Sequence, residues 1–204
     1  MSNANVFELT QCLKDSLEYC ENNPQTELCL YFHTRLASAQ QEFHEGLKMT
    51  DGHFAHWRNE AGDDRLSWKH LAMELSKTQG RLGKVGAIGY PDQKVKYWNP
   101  ASLELVVREM IAYLKSRSEQ IAFASEQVEK LERQLERCFS ETQEATDALR
   151  TYSRFVQMRS NAINNATNTI ASFRQAMRRD LGKEHPAYKS IRWPFAVATD
   201  EAVL

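Results

Sequence analysis

The sequence predicts an all-α fold, an elongated helical bundle or coiled coil with one small β-hairpin insertion and an extended C-terminal tail. The chain has only 8 Gly and 5 Pro among 204 residues, which disfavours an all-β fold with its many Gly and Pro turns. Residues 101–181 contain neither Gly nor Pro, so that stretch permits unbroken helix. With 42% hydrophobic and 26% charged residues, the composition is that of a folded chain rather than a disordered one.

Residues 1–100 are predicted to form an N-terminal helical head. Apolar residues at helical spacing indicate three helices, near residues 6–20, 28–47 and 68–82. We expect the first to end at Asn22-Asn23-Pro24, because the residue before a proline is pushed out of the helical conformation. We expect Thr50-Asp51-Gly52 to end the second, since such residues favour turns.

A β-hairpin is predicted at about residues 84–98. Residues 84–90 and 94–98 are rich in residues that favour strands, and Pro91-Asp92-Gln93 between them suits a three-residue loop. Asn99 and Pro100 then start the next helix, because proline in the first turn of a helix loses no hydrogen bond.

An apolar seam runs along residues 101–181, because most of the positions spaced alternately four and three apart from Leu103 to Met177 are apolar. This is the pattern of a coiled coil or long bundle helix, which cannot bury its own stripe. It must pack on the N-terminal helices, on a second copy, or on itself with a break near 139–141, where Ser140 to Gln143 fit a capping box. A continuous helix and a hairpin both remain open. The seam positions that we expect to bind a partner are Leu149, Val156, Ile163 and Ile170.

Gly182 is predicted to end the long helix, and residues 182–204 to form an extended tail. Trp193 and Phe195 are the aromatic residues of this tail. Large aromatic side chains dominate the binding energy of many interfaces. We therefore expect these two side chains to anchor the tail in a groove of a neighbouring molecule.

Charge is unevenly distributed along the chain, although the net charge is only −1. Residues 148–179 carry six Arg and no acidic residue, whereas soluble helices usually interleave both signs. One interpretation is a helix face that contacts nucleic acid or an acidic protein through Arg150, Arg154, Arg159, Arg174 and Arg178. The other is that the acid-rich residues 126–144 of the same helix lie against the Arg-rich half, in a hairpin or an antiparallel dimer.

The predicted hairpin is a second basic segment. It carries Lys84, Lys94 and Lys96 beside Tyr97. Basic and aromatic residues together hold nucleic acid by phosphate contact and base stacking. These residues extend the nucleic-acid hypothesis.

Residues suited to catalysis or metal binding form no convincing set. His56 precedes Glu60 by four residues, which places both on one helix face, but residues 101–181 contain no His to complete a metal site. We expect a surface pair, no metal and no cofactor. The four Cys form no C-x-x-C pair and are predicted to be buried, reduced thiols. No nucleophile motif such as G-x-S-x-G occurs, so the sequence predicts no enzyme.

The predicted function is that of a non-enzymatic assembly or adaptor protein. It would form a homo-oligomer or bind a partner protein through the long helix, and the alternative is a nucleic-acid-binding subunit. No run of 18 apolar residues occurs, so no membrane span is expected. The N-terminal residues lack the features of a secretion signal, which predicts a cytoplasmic location.

Overall fold

A computed structural model describes residues 3–194, with side chains from residue 6 onward. The helices, in chain order, are α1 (Asn3–Asn22), α2 (Glu27–Lys84), α3 (Pro100–Ser116), α4 (Ala124–Leu181) and α5 (Pro186–Ser190). The prediction of an all-α protein is confirmed. The predicted β-hairpin is wrong, because the described part of the chain contains helices and irregular segments but no strand.

The chain divides into two compact units, of which unit 1 contains residues 1–52 and 153–204 and unit 2 contains residues 53–152. Both units follow one plan. Each contains a short helix, the first part of the long helix that follows it, and the last part of the other long helix. The units do not follow the sequence-based boundaries at residues 100 and 181, because α2 and α4 each contribute to both.

The core of unit 1 is formed by α1, the first part of α2 and the last part of α4. Phe173 of α4 is fully buried at its centre, and its ring lies 5.3 Å from that of Phe32 and 6.2 Å from that of Tyr19. Helix α5 and the described part of the tail pack against this core. Residues 182–194 are therefore not the wholly extended segment that the sequence predicted. The indole of Trp193 lies 5.4 Å from the ring of Tyr188 and donates a hydrogen bond to the carbonyl oxygen of the same residue.

The core of unit 2 is formed by the last part of α2, α3 and the first part of α4. Leu71, Leu103, Met110 and Leu131 are fully buried there. Helix α3 begins as expected, because the Asn99 side chain accepts a hydrogen bond from the Ser102 backbone and Pro100 occupies the first turn.

The segment between α2 and α3 lies against unit 2 and does not pair with itself. The side-chain amide of Gln79 donates to the carbonyl oxygens of Pro91 and Gln93, which are the loop residues of the predicted hairpin. The Tyr113 hydroxyl donates to the carbonyl oxygen of Ile88. Helix side chains therefore hold this segment through its backbone carbonyl groups. Gly86 and Gly89, with φ of 69° and 74°, interrupt the extended backbone that the first predicted strand would need.

Helix α2 continues through Thr50, Asp51 and Gly52, where an end was predicted. The Thr50 hydroxyl donates a hydrogen bond to the Gly46 carbonyl oxygen of its own helix, at 2.7 Å. It also lies within hydrogen-bond distance, 3.2 Å, of the Phe155 carbonyl oxygen of α4. One acceptor in α2 and one in α4 together satisfy the hydroxyl while Thr50 is helical, so the turn tendency of this tripeptide is overridden.

The break in the predicted long helix falls at residues 117–123 rather than near 139–141. Backbone hydrogen bonds close this turn, including those from Gln120 and Ile121 to the Arg117 carbonyl oxygen. Ser140, at the proposed capping position, instead donates to Glu144 one turn later inside α4. Ile121 is buried in the same core as Leu114, so the apolar seam continues across a turn that contains neither Gly nor Pro.

Gly62→Ala is expected to stabilise the protein by about 1 kcal/mol, because glycine in a helix interior costs that much relative to alanine. The Gly62 position in α2 is exposed, and a methyl group added there would meet nothing within 4 Å. Urea unfolding followed by circular dichroism measures the change. A lower unfolding midpoint for Gly62→Ala would contradict a helical backbone at this position.

Candidate functional site

An open apolar groove lies in unit 1 between α2 and α4, and we call it the unit 1 groove. Its volume is about 770 Å³. The lining residues from α2 are Glu42, Glu45, Gly46, Lys48 and Met49, and those from α4 are Phe155, Met158, Asn161, Ala162 and Asn165. The two helices run antiparallel here, since Thr50 contacts Phe155 and residue 42 contacts residue 165.

The floor of the groove is a close approach of the two helix backbones. A methyl group at Gly46 would lie 3.4 Å from the Cα atom of Arg159 and 3.5 Å from the Cβ atom of Ala162. The small side chains of Gly46 and Ala162 let α2 and α4 pack with little side-chain volume between them. The concave surface therefore follows from the choice of Gly and Ala at the helix contact.

Methionine side chains form the apolar opening of the groove. Met49 and Met158 are each 50% exposed, and Phe155 lines the groove beside them. Methionine is flexible and polarizable, so it adapts to the shape of an apolar partner. The arrangement suits the burial of apolar side chains of another molecule.

The two rims of the groove differ in charge. The α2 rim carries Glu42 and Glu45, and the α4 rim carries the neutral amides of Asn161 and Asn165. Asn165 donates to a Glu42 oxygen at 2.8 Å. The rim therefore has a negative side and an uncharged side, with Lys48 one residue from Met49 on α2.

The residues predicted to bind a partner fall into three groups. Ile170 is buried in the unit 1 core and Ile163 packs against it, while Trp193 contacts Tyr188 and Phe173 of its own chain. Leu149, in unit 2, and Val156, in unit 1, are 43% and 42% exposed. Phe195 lies outside the residues that the structure describes.

The arginines of the nucleic-acid hypothesis do not form one exposed set. Arg174 donates to the Tyr188 hydroxyl at 3.0 Å and lies over the Trp193 ring, which gives it a structural role in unit 1. Arg150, in unit 2, is paired with Asp147 at 3.0 Å. In unit 1, Arg159 packs at the groove floor against Gly46, and Arg154 and Arg178 are exposed.

The basic residues of the predicted hairpin are exposed in unit 2. Lys84, Lys94 and Lys96 all face solvent, and the Lys96 ammonium lies 5.1 Å from the centre of the Trp98 ring. Tyr97 accepts a hydrogen bond from Arg65, which lowers the pKa of the Tyr97 hydroxyl. These lysines are therefore accessible to a nucleic acid.

The Arg-rich half of α4 is not balanced by the acid-rich half of the same helix within one unit. Residues 153–181 belong to unit 1, whereas residues 126–144 belong to unit 2. In unit 1 the Arg-rich half packs on α1, which carries four acidic residues and one Lys. Two of the arginines are paired within α4 itself, Arg150 with Asp147 at 3.0 Å and Arg179 with Asp180 at 2.8 Å.

Three carboxylates in unit 2, those of Glu60, Glu141 and Glu144, have oxygen atoms within 4.8 Å of one another. Glu60 is paired with His56 at 3.4 Å and Glu141 with Arg137 at 3.3 Å. The His56–Glu60 pair is confirmed as a partly exposed contact. The carboxylates do not by themselves define a metal site.

All four cysteines are buried and unpaired, as the sequence predicted. Burial raises the pKa of Cys12 to about 12 and that of Cys138 to about 11. Burial likewise raises the pKa of Cys20. Cys12, Cys20 and Cys138 therefore remain protonated near neutral pH and are poor nucleophiles.

The native protein is consequently expected to show no fast-reacting thiol toward an aromatic disulfide reagent at pH 8, because all four thiols are buried and the raised pKa of Cys12, Cys20 and Cys138 further opposes attack. All four thiols should react after unfolding in guanidinium. The variant Ser125→Cys, at an exposed position of α4, provides the control and should add one fast thiol. A fast-reacting native cysteine would contradict the burial of these side chains.

The groove-lining residues Met49, Phe155 and Met158 were not among the predicted site residues. They lie off the apolar seam, so the seam pattern did not select them. The available sequence signal was apolar residues at positions where the helical pattern predicts solvent. Their convergence depends on how α2 and α4 pack, which the pattern of one helix does not contain.

The fold and the groove define an all-helical protein with an apolar, one-sidedly acidic surface groove. Comparison with protein-family models, with curated proteins and with solved structures gave no match. None of the described helices combines the length and apolar character needed to cross a membrane.

Proposed function

We propose that this protein is a non-enzymatic assembly or adaptor component that binds protein through helix α4 and the unit 1 groove. The observation that carries the proposal is the half-exposed pair Met49 and Met158 at the opening of the groove. Exposed apolar side chains on a concave surface are typical of protein-binding sites. The bound protein is either a second copy of this chain or a different protein.

The apolar seam of α4 supports the proposal only for those of its residues that remain exposed. Ile163 and Ile170 contribute to the unit 1 core, so binding a partner through them would require that core to open. Leu149 and Val156 remain accessible. We therefore assign binding to the solvent-facing residues of α4 and to the groove, not to the whole seam.

Site-specific photocrosslinking tests this function in cells that produce the full chain. A benzophenone amino acid at Met158 is expected to form a covalent adduct with a protein, because its side chain lies at the groove opening. The same substitution at Met73, an equally exposed methionine of unit 2, is the matched control. Equal adduct yields from both positions, or none from Met158, would contradict binding at the groove.

Light scattering on the purified chain separates the two kinds of partner. A homo-oligomer held by apolar contacts should keep its mass at about 0.5 M salt, because salt screens charges but does not weaken apolar burial. A monodisperse monomer would eliminate self-association. A monomer that also gives no excess adduct from Met158 would refute the proposed function.

A second candidate function, nucleic-acid binding, is favoured by one observation. Lys94 and Lys96 are exposed near Trp98, whose side chain is 66% exposed. Lysines supply phosphate contacts and an exposed indole supplies a surface for base stacking. This arrangement belongs to unit 2 and is independent of the groove.

The double variant Lys94→Glu/Lys96→Glu is expected to weaken binding to a single-stranded RNA oligonucleotide by about tenfold or more, because it replaces two phosphate-binding charges by repulsive ones. Fluorescence anisotropy at several salt concentrations measures affinity and its salt dependence. Lys14→Glu, at an exposed position of α1, is the control. Absence of salt-dependent binding by the unmodified chain would exclude this function.

A further inference from the structure

We propose that the unit 1 groove binds an amphipathic α-helix of a partner protein that carries apolar residues on one face and Lys or Arg along the flank facing Glu42 and Glu45. This inference rests on the proposed function and specifies the chemistry of the partner. It commits to a helix, to the face that enters the groove and to the sign of charge beside it.

The length of the groove fits a helix of about three turns. On α4 the groove extends from Phe155 to Asn165, which corresponds to about 15 Å at 1.5 Å per residue. Two antiparallel helices with small residues at their contact leave a furrow parallel to their axes, into which a third helix packs. A partner helix would place three apolar residues into the furrow, at positions i, i+3 or i+4, and i+7.

The apolar part of the groove lies where these three residues would enter. Met49 and Met158 line it from opposite helices, and Phe155 lines it toward one end. The half-exposed side chains of Met49 and Met158 become buried when a helix is bound, which favours association. The flexible methionines accept leucine, isoleucine or phenylalanine without a fixed pocket shape.

The charge of the rims determines which flank of the partner helix is basic. Glu42 accepts hydrogen bonds from Ser38 and Asn165, and Glu45 accepts one from Gln41. These donors are neutral, so they satisfy the oxygen atoms without cancelling either negative charge. A Lys or Arg on the partner would complement both carboxylates, and charge complementarity of this kind sets specificity and orientation.

The α4 residues that line the groove carry no charge. Asn161 and Asn165 are uncharged, and Lys48 lies on the acidic side, one turn beyond Glu45. The negative charge is thus concentrated near Glu42 and Glu45 and ends toward Lys48. This asymmetry distinguishes a basic-flanked helix from an acidic-flanked one.

Two synthetic helices test the proposal on the full-length protein. Both have about 18 residues with Leu at positions i, i+4 and i+7, enough for the full length of the groove. One carries Lys along a single flank and the other carries Glu at the same positions. Fluorescence anisotropy should show that the Lys helix binds at least about tenfold more tightly than the Glu helix. This preference should shrink as the salt concentration rises.

Three variants localise the effect. Glu42→Gln/Glu45→Gln should remove the preference for the Lys helix while leaving apolar binding. Met158→Asp should weaken the binding of both synthetic helices, because it places a charge in the apolar part of the groove. Met73→Asp, at an equally exposed methionine of unit 2, is the control and should change neither affinity. Circular dichroism and thermal unfolding verify that each variant is folded.

The outcomes separate this inference from the proposed function. If both helices bind with equal affinity and Met158→Asp abolishes this binding, the proposed basic flank is overturned. The groove then remains a protein-binding site. If neither helix binds but the chain forms a dimer that Met158→Asp dissociates, a second copy is the occupant and the inference is overturned while the proposed function stands. Binding that Met158→Asp does not alter would place the helix elsewhere and overturn the inference.

Discussion

Phe173→Ala is expected to lower the free energy of unfolding by about 3–5 kcal/mol, the usual cost of truncating a buried phenylalanine. Phe173 is fully buried. Its ring contacts Phe32 of α2, Tyr19 of α1 and Trp193 of the tail, with centroid distances of 5.3, 6.2 and 6.3 Å. The cavity would thus open where three parts of unit 1 meet.

Urea unfolding monitored by circular dichroism measures this loss. Phe139→Ala provides a matched control, because Phe139 is on the same helix but 40% exposed, and its removal should cost about 1 kcal/mol or less. Phe173→Leu, which preserves part of the volume, should fall between the two. Similar losses for Phe173→Ala and Phe139→Ala would contradict the central position of Phe173.

Trp68→Ala is expected to be comparably destabilising, at about 3–5 kcal/mol, because it removes a large buried ring and a hydrogen-bond donor. Trp68 is buried in unit 2, and its indole nitrogen donates to both Asp64 and Thr142 at 3.0 Å. The Thr142 hydroxyl in turn donates to Asp64 at 2.6 Å. The three side chains form one hydrogen-bonded cluster between α2 and α4.

A double-mutant cycle tests whether this cluster acts as a unit. Trp68→Phe removes the indole donor together with part of the ring volume, and Thr142→Val removes the hydroxyl with little change of shape. The cycle subtracts the cost of the lost volume, because Trp68→Phe is present in both the single and the double variant. Because the two residues share a hydrogen bond, their effects on the free energy of unfolding should be non-additive by about 0.5–3 kcal/mol. Additive losses would show that the two contacts are energetically independent.

The helix ends that sequence predicted correctly are those with a local chemical cause. Pro24 follows the end of α1, Asn99 and Pro100 start α3, and Gly182 ends α4 with a positive φ of 86°. Glycine adopts this left-handed conformation without the steric cost of a Cβ atom. Each signal is contained in one to three adjacent residues.

The ends that were predicted wrongly depend on contacts distant in sequence. Thr50 stays helical because its hydroxyl reaches a carbonyl of α4, 105 residues away. The turn at 117–123 contains neither Gly nor Pro, and buried Ile121 continues the periodicity of the adjacent helices. A pattern of apolar spacing cannot distinguish such a turn from a helix that continues.

The sequence indicated that α4 must pack on other helices, but it did not indicate which residues form the unit 1 groove. The sequence indicated that α4 has an apolar stripe in need of a companion, and in unit 1 that companion is α1 together with α2. Ile170 and Trp193 were therefore assigned to an interface although they serve the chain's own core. Met49 and Met158 become recognisable only when the two helices are placed side by side.

The division of the chain constrains the order in which it can fold during synthesis. Unit 2 is encoded by one uninterrupted stretch, residues 53–152, whereas unit 1 joins residues 1–52 to residues 153–204. At about 5–20 residues per second, a ribosome adds the intervening hundred residues in roughly 5–20 s. Throughout that interval the nascent chain displays Phe32 and Phe43 without Phe173 and Ile170 to cover them. This is a window in which chaperones would bind the emerging polypeptide and in which premature association between neighbouring nascent chains is most damaging.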